Sequence, residues 1–415
     1  IKVENGVVKA VVTDQGTIEA DYVVIATGCW SPKLAAMAGA HIPLTPAVHQ
    51  MKDIGPVPFF KEAKGDIEWP IVRDMDAGMY ERQHGTSLEV GSYAHRPILY
   101  SPQDIPSNAA AALSPTEFPF TQADFDLQDE HSLELMPSIV GDENVREKYA
   151  INGILSLTPD GMSILGETPE VKGLWSVAAV WVREAPGTGK AVAEWMVLGE
   201  SEIDLHASNI ARFSEHQKLD SHVKARCAEG FVKTYGIVHP NEQWSSNRNV
   251  RLSPFYEREK ELGAVFYETA GWERPFWYES NAKLVEKFGA RVMPRTAEWE
   301  SRWWSPIINA EHLQMRETAG IVDLSAFAIF DVTGSGALAL VQKVALRQMD
   351  VAIGRVVYTP VLGINGGFRS DLTIMRLAEN HFRVVTGGAH GMTDLKWFKD
   401  QLPEDGTTTI IDLTT

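Results

Sequence analysis

Cysteine and cationic residues are both scarce in this chain of 415 residues. Only Cys29 and Cys227 occur, far apart and without further cysteine or histidine ligands at zinc-binding spacing. This pattern argues against a disulfide framework and a structural metal, and it is typical of a reducing compartment. Lys and Arg number 38 against 55 Asp and Glu, a net charge of -17. Because phosphate neutralisation needs clustered cations, we predict no nucleic-acid partner.

Long apolar runs are also missing. None approaches the roughly 20 residues that a helix needs to cross a bilayer, so we predict a water-soluble protein without a membrane partner. The chain starts at Ile1 rather than Met and stops on the strand-like run T-I-I-D-L-T-T. We interpret it as an internal piece of a longer protein. The expected location is cytoplasmic, or the mitochondrial matrix in a eukaryotic source.

A glycine-rich stretch, E-A-P-G-T-G-K-A-V-A-E-W (184–195), looks at first like the phosphate loop of an ATPase. That loop needs a glycine five residues before Gly189 and a Ser or Thr after Lys190 to hold magnesium. The chain has Glu184 and Ala191 at these positions. The remaining interpretation is a glycine turn between the apolar strand 173–182 and a helix over 189–198, whose N-terminus offers bare N–H groups to an electron-rich partner.

Elsewhere the pattern alternates between strands and helices. Turn signals at Asn5-Gly6 and Gln15-Gly16 predict a hairpin or meander at the start. The run D-Y-V-V-I-A-T-G (21–28) predicts a buried strand that leads into a helix from Ser31. Because a second strand-loop-helix unit follows only at 173–198, we expect one sheet interrupted by an inserted domain. A charged junction covers 213–260, and an amphipathic helix is expected over 334–346.

Several segments, in order, resemble the family of dimethylglycine oxidase, dimethylglycine dehydrogenase and sarcosine dehydrogenase, most closely its bacterial oxidase branch. They include D-Y-V-V-I-A-T-G-C-W (21–30), L-T-P-D-G-M-S-I-L-G-E-T-P (157–169), the glycine stretch and E-L-G-A-V-F-Y-E-T-A-G-W-E-R-P-F (261–276). The resemblance implies an α/β and α+β multidomain protein. It would consist of the C-terminal part of a D-amino-acid-oxidase-like FAD domain with an inserted β-rich substrate domain, followed by an aminomethyltransferase (T-protein-like) folate-binding domain.

The expected boundaries follow from this order. The domains are the FAD-binding domain (1–45 and its return segment 151–213), the substrate-binding domain (46–150), a central linker domain (214–300) and the N-terminal part of the folate-binding domain (301–415). By the same resemblance the glycine stretch borders FAD. The implied flavin contacts are Val182, Arg183, Glu184, Ala185 and Gly187.

His49 and Tyr80 match the family's paired active-site histidine and tyrosine. An isolated histidine or tyrosine on a strand would ordinarily be a scaffold residue, which is how we interpret His84, Tyr93, His95 and Arg96. The chemistry supports the pair, because a protonated amine has no lone pair to form an iminium. A neutral imidazole, with an ordinary pKa of about 6.5, can accept or relay that proton. His49 is therefore the expected base or relay, and Tyr80 the orienter.

A second site is implied near the C-terminus. The segment V-V-Y-T-P-V-L-G-I-N-G-G-F-R-S-D-L-T-I-M-R-L (356–377) has the pattern of a hairpin around Asn365-Gly366-Gly367. It resembles the folate-binding aminomethyltransferase domain, in which Tyr358 and Asp371 match the folate-site tyrosine and aspartate. Thr386 and Gly387 stand where related T-proteins usually carry Asn-Ala. Asp371, if desolvated beside the pterin, would shuttle a proton while Tyr358 positions the ring.

The combined expectation is an FAD-dependent oxidoreductase acting on CH-NH donors. It would demethylate N,N-dimethylglycine and transfer the carbon to tetrahydrofolate as 5,10-methylenetetrahydrofolate, as in choline and betaine degradation. The N-methyl donor could equally be sarcosine, and the electron acceptor oxygen or an electron-transfer flavoprotein. The alternative from another class is a catalytically silent folate-binding protein.

Overall fold

The computed structural model describes residues 1–111 and 114–414, and the chain divides into two compact units. The first comprises Ile1–Ile164, Ser176–Val180 and Gln217–Pro240. The second comprises Leu165–Trp175, Trp181–His216 and Asn241–Thr415. The chain passes between the units five times, and two of these passages lie within the strands Ile164–Glu167 and Leu174–Ala178.

A six-stranded antiparallel sheet dominates the first unit. Its strands, in order across the sheet, are Val72–Asp74, Met79–His84, Ser87–Ser92, Thr45–Gly55, Arg146–Leu157 and Glu117–Phe118. Side chains alternate between its two faces, as the pleat requires. Met79 and Leu88 join an apolar core with Phe60 and Phe125 on one face. Tyr80 projects from the other face, which we call the His49 face because that histidine also lies on it.

The first unit also contains an N-terminal group of short strands and four helices. The predicted N-terminal meander is confirmed: its strands pair antiparallel, and Asn5 and Gly6 form the first turn with positive φ. The meander consists of Lys2–Glu4, Val7–Thr13 and Gly16–Glu19, and a further strand spans Val23–Ile25. The helices of this unit are Ser31–Met37, Asp126–Leu135, Pro137–Val140 and Asp220–Lys233. The last helix lies in the stretch predicted as an irregular junction, where its charged composition conceals a buried stripe that includes Val223, Cys227 and Phe231.

The second unit is built on a five-stranded antiparallel sheet. Its strands, in order, are Val356–Leu362, Phe368–Ala378, His381–Thr386, Ala328–Thr333 and Thr409–Asp412. Helices Ala337–Val344 and Gly391–Asp400 cover one face, and Phe330, Leu340 and Phe398 form its core. The predicted hairpin around Asn365-Gly366-Gly367 is confirmed. The helix expected over 334–346 is shorter, because Gly334 has a φ of 110 and Gly336 is the N-cap.

The other elements of the second unit lie outside this sheet. A hairpin is formed by Ala264–Thr269 and Trp272–Tyr278. The further helices are Ala185–Leu198, Tyr256–Glu261, Lys283–Phe288, Glu300–Trp303 and Pro306–Glu317. The domain boundaries inferred from the sequence stay a prediction. A bilayer-spanning helix is absent from residues 1–111 and 114–414. Both cysteines are buried free thiols, and burial raises the pKa of Cys29 to about 11.

Candidate active site

Strand register brings His49 and Tyr80 to one face of the six-stranded sheet. Tyr80 lies directly opposite Gly91 on the strand Ser87–Ser92, and Gly91 lies opposite Met51 on the strand Thr45–Gly55. Residues directly opposite in an antiparallel pair share a face, as do residues two apart on one strand. His49, two residues from Met51, therefore lies on the same face as Tyr80.

The two predicted side chains meet through their rings. Tyr80 Oη lies 3.5 Å from His49 Nε2, a long hydrogen bond, and the rings stack with centroids 5.7 Å apart and planes 10° apart. Gly91 makes this placement possible, because a Cβ at that position would lie 2.1 Å from Cζ of Tyr80. The tyrosine ring thus lies flat on a glycine backbone, a close approach that any larger residue would prevent.

Burial holds the imidazole neutral. Desolvation, helped by His95, lowers the pKa of His49 from 6.5 to about 3. Burial also raises the pKa of Tyr80 above its ordinary value, so its hydroxyl keeps its proton. A neutral imidazole next to a protonated phenol can accept a proton and pass it on. The assignment of His49 as base or relay stays a prediction.

The structure adds aromatic neighbours that the sequence analysis missed or took for scaffold. Tyr93 lies 4.5 Å from His49, centroid to centroid, and stacks on Tyr235 at 4.7 Å with planes 5° apart. Tyr235 also lies 5.6 Å from Tyr80, and Phe231 contacts Tyr93 at 5.2 Å. An aromatic wall around an imidazole excludes water and favours contact with alkylammonium groups. Only the strand alternation could have predicted Tyr93, and no local pattern predicts Tyr235.

Replacing Gly91 by alanine is expected to displace Tyr80 from His49. The new Cβ has no room beside the phenol ring, so the ring must move, with a stability loss of about 1–3 kcal/mol. The thermal midpoint and the rate of flavin reduction by substrate in the holoenzyme should both fall. Gly65→Ala is the control, since that glycine lies in the same unit away from His49 and its Cβ would meet only the Glu68 side chain at the ordinary contact distance of 3.5 Å. Equal behaviour of the two variants would contradict this account of Gly91.

The glycine stretch belongs to the second unit and lies inside a helix, not before one. The helix begins at Ala185 rather than at residue 189, because Pro186 in its first turn is pre-set for helical φ. Residues Val182–Glu184 form a 3-10 turn before it. Lys190 makes an ion pair with Glu194 one turn further along, at 3.3 Å, and so is directed to a carboxylate.

The first turn of this helix fits the flavin contact that the resemblance implies. No side chain caps the N-terminus, although the Ala185 N–H donates to the Val182 carbonyl and Pro186 has no N–H. Val182 is 93% exposed, and nothing lies within 4 Å of a Cβ built on Gly187 or Gly189. A planar ring can therefore approach the backbone closely. The individual contacts of Val182, Arg183, Glu184, Ala185 and Gly187 with FAD stay a prediction.

The two residues expected at the folate site contact each other in the second unit. Tyr358 and Asp371 lie on neighbouring strands, and the Tyr358 hydroxyl donates to Asp371 Oδ2 at 2.5 Å. This bond raises the pKa of Tyr358. Both side chains are exposed, Tyr358 to 60%, so Asp371 is not desolvated by the protein itself. An exposed phenol ring beside a carboxylate leaves a ring face and an acceptor open to a ligand, which fits a pterin.

Thr386, the departure from the T-protein pattern, points into the core. It is 2% exposed and donates to Asp394 Oδ2 at 2.5 Å, and Ser370 donates to the same oxygen at 2.8 Å. Burial raises the pKa of Asp394. Asp394 therefore links the two strands that carry Ser370 and Thr386. Because Asp371 is the residue after Ser370, this link also holds the strand at Asp371 in place. Thr386 therefore contributes to the scaffold below the folate face.

One group of side chains in the described residues has the spacing of metal ligands, although no metal was predicted. Asp53, His84 and Glu89 offer ligand atoms within 4.8 Å of one another. His84 Nδ1 lies 2.7 Å from Asp53 Oδ2, Arg82 pairs with Glu89 at 2.5 Å, and Lys148 lies 3.8 Å from Asp53. Two cations thus already balance the two carboxylates, and the arrangement is that of a salt-bridge network.

Comparison with known families accounts for the chain in three consecutive parts. Residues 1–195 match the family model described as FAD dependent oxidoreductase, and residues 198–253 match the FAD dependent oxidoreductase central domain. Residues 255–415 match the GCVT N-terminal domain. The expected fold class, in which an FAD oxidoreductase fold precedes a T-protein-like domain, is confirmed, and so are FAD and folate as the cofactors for which these domains are built.

Curated relatives match this chain along most of its length. The chain is 34% identical to 4-methylaminobutanoate oxidase (formaldehyde-forming) of Paenarthrobacter nicotinovorans over 92% of this chain and 44% of that protein. It is 30% identical to human mitochondrial sarcosine dehydrogenase over 90% of this chain and 41% of that protein. It is 25% identical to rat mitochondrial dimethylglycine dehydrogenase over 95% and 45%. The chain thus spans less than half the length of these relatives.

A special likeness to bacterial dimethylglycine oxidase stays a prediction. The chain therefore combines an FAD dependent oxidoreductase fold with a folate-binding aminomethyltransferase domain of the GCVT type, and it is similar in sequence to 4-methylaminobutanoate oxidase, sarcosine dehydrogenase and dimethylglycine dehydrogenase.

Proposed function

We propose that the protein oxidatively demethylates an N-methylated amino acid with FAD and delivers the one-carbon unit to tetrahydrofolate. One observation carries this proposal: a neutral imidazole, His49, is held against a protonated tyrosine within an aromatic wall. Such a site suits an alkylated amine that must lose its proton before it reacts. The first candidate substrate is N,N-dimethylglycine.

His49 and Tyr80 prepare the substrate in this mechanism. The imidazole lone pair accepts the ammonium proton and passes it to solvent, which frees the amine lone pair, while the Tyr80 hydroxyl keeps its own proton and orients the imidazole. The FAD ring would be held by Val182, Arg183, Glu184, Ala185 and Gly187, and it would supply the acceptor for the hydride of the methyl carbon. Tyr93 and Tyr235 keep water from the methyl group, so that the iminium survives long enough to be transferred.

Asp371 and Tyr358 govern the second reaction. One folate nitrogen attacks the iminium carbon and loses a proton, and a second folate nitrogen then displaces the demethylated amine, which leaves with a proton as the methylene bridge closes. Asp371 is the carboxylate that takes this proton, and Tyr358 orients the pterin with its hydroxyl and ring. Without the capture, water would hydrolyse the iminium to formaldehyde, the product named for the Paenarthrobacter relative.

Other substrates and two electron acceptors are compatible with this reaction. Sarcosine and 4-methylaminobutanoate are the alternative substrates, and the relatives that act on them support their inclusion. Electrons would pass to oxygen or to an electron-transfer flavoprotein. A catalytically silent folate-binding protein is the rival, and the presence of His49, Tyr80 and Asp371 speaks against it.

The test is anaerobic reduction of the FAD-loaded holoenzyme by each of the three amines. We expect at least one to bleach the flavin absorbance within seconds, and dimethylglycine to be the most efficient as judged by kcat/KM. A faster reaction with 4-methylaminobutanoate would keep the reaction and replace the substrate. If none of the amines reduces the flavin while a folate still binds, the silent protein is the correct interpretation.

A further inference from the structure

A substrate that carries a carboxylate needs a cationic partner, and the His49 face offers two arginines on the strands beside Tyr80. This argument rests on the proposed function, because it concerns the substrate of the same site. The two are Arg73, on the strand Val72–Asp74, and Arg82, two residues beyond Tyr80. Their charge environments differ completely.

Arg73 is placed next to the candidate site by strand register. It lies directly opposite Tyr80 across the sheet, and Tyr80 lies opposite Gly91. Directly opposite residues share a face and have Cα atoms about 4.5–5.5 Å apart. Arg73, Tyr80 and Gly91 therefore form one row across the His49 face.

The Arg73 guanidinium is fixed without being neutralised. Its Cζ lies 3.9 Å from the ring centroid of Tyr235, and its Nη2 donates to the carbonyl of Thr234 at 3.0 Å. In residues 1–111 and 114–414 no carboxylate lies within ion-pair distance of it. A guanidinium has five N–H donors in a planar fork, so most of those of Arg73 stay open to a ligand.

Three other cations of the first unit are already paired, whereas Arg146, opposite Gly55 at the end of its strand, donates only to the Val145 carbonyl among the described residues. Arg82 binds Glu89, Lys52 binds Asp129 at 2.7 Å, and Arg96 binds Asp124 through two nitrogens. Arg73 differs from these in lying directly opposite Tyr80 with its charge left for an external anion, and Tyr235 joins it to the aromatic wall around His49.

We infer that Arg73 binds the carboxylate of the N-methylated amino acid and thereby sets the specificity of the site for amino acids over simple amines. The planar fork accepts a carboxylate through two N–H groups, while the methylated nitrogen lies toward the imidazole. Arg73 is a binding residue in this account and takes no part in the proton transfer.

The experiment compares Arg73→Gln with wild type and with Arg96→Gln in the FAD-loaded holoenzyme. Arg96 is a matched control, because it is an exposed arginine already held by Asp124. The substrates are dimethylglycine and N,N-dimethylethylamine, which has a methyl group in place of the carboxylate. We expect Arg73→Gln to raise KM for dimethylglycine by roughly 30-fold or more, with a much smaller change in kcat. The preference for dimethylglycine over the simple amine should shrink by the same factor.

A binding measurement separates this inference from the proposed function. Trimethylglycine has the carboxylate but no amine lone pair, so calorimetric titration measures its affinity without turnover. Wild type should bind it about 30-fold more tightly than Arg73→Gln, and Arg73→Lys should lie between them. Equal affinities, or no binding to wild type, would overturn the inference even if flavin reduction proceeds. Failure of every amine to reduce the flavin would instead overturn the proposed function.

Discussion

Replacing His49 by alanine is expected to slow flavin reduction by dimethylglycine on the order of 100-fold at pH 7, since general acid–base groups typically contribute at least that much. The cause is loss of the neutral imidazole that takes the ammonium proton. Raising the pH should restore much of the rate in the variant. Toward pH of about 10, where alkylammonium groups lose their proton, water supplies the free amine without a relay.

The control for this substitution is His84→Gln, on the same sheet but engaged with Asp53 at 2.7 Å. Stopped-flow absorbance of the flavin between pH 6 and 10 measures both variants. His84→Gln should retain the wild-type profile. A His49→Ala variant whose rate parallels wild type at every pH would remove His49 from the mechanism.

The lowered pKa of His49 also predicts how the stability of the fold changes with pH. Its folded pKa, about 3, is below the unfolded value of about 6.5, so the unfolded chain binds a proton there that folded His49 does not. Stability from this group is fully present above pH of about 6.5 and is lost as the pH falls toward 3. The His49→Ala variant should therefore lose less of its thermal midpoint than wild type between pH 6.5 and 4.5. A steeper loss in the variant would mean that the histidine is charged in the fold.

The sequence predicts those parts of the structure that depend on neighbouring residues better than those that depend on distant ones. The turns at Asn5-Gly6 and Asn365-Gly366-Gly367 are read correctly because their residues favour positive φ or tight hairpins. The glycine stretch predicts a turn before a helix that starts at residue 189. In the structure the helix starts at Ala185 and runs through this stretch. Local propensity alone does not decide between these outcomes, because glycine is permitted in both.

The candidate site shows the same limit more sharply. His49 and Tyr80 were found through family resemblance, whereas their neighbours follow from register. Arg73 lies opposite Tyr80 because their strands pair in this register. A register shift of one residue would place the Arg73 side chain on the other face of the sheet. Tyr235 arrives from the end of the helix Asp220–Lys233, in a stretch interpreted as irregular. Such long-range contacts carry no periodic signal in one sequence.

Asp371→Asn is expected to uncouple demethylation from carbon transfer. The asparagine amide has nearly the same shape but cannot take the proton that the folate nitrogen releases, and its contact with the Tyr358 hydroxyl is weaker without the charge. Flavin reduction by dimethylglycine should be unchanged. In the presence of tetrahydrofolate, the yield of 5,10-methylenetetrahydrofolate should fall by about 100-fold, with formaldehyde taking its place.

Carbon that has been released and recaptured in solution must be excluded from this measurement. Single turnovers are therefore run with excess tetrahydrofolate and a trap that consumes free formaldehyde, so that only directly transferred carbon is counted. Asp405→Asn is the control, since this exposed aspartate only caps a turn at Thr407. Tyr358→Phe should give an intermediate yield, because the ring persists while the hydroxyl is lost. If Asp371→Asn transfers as much carbon as the control, the carboxylate does not take the proton, and the role of this strand pair is confined to binding.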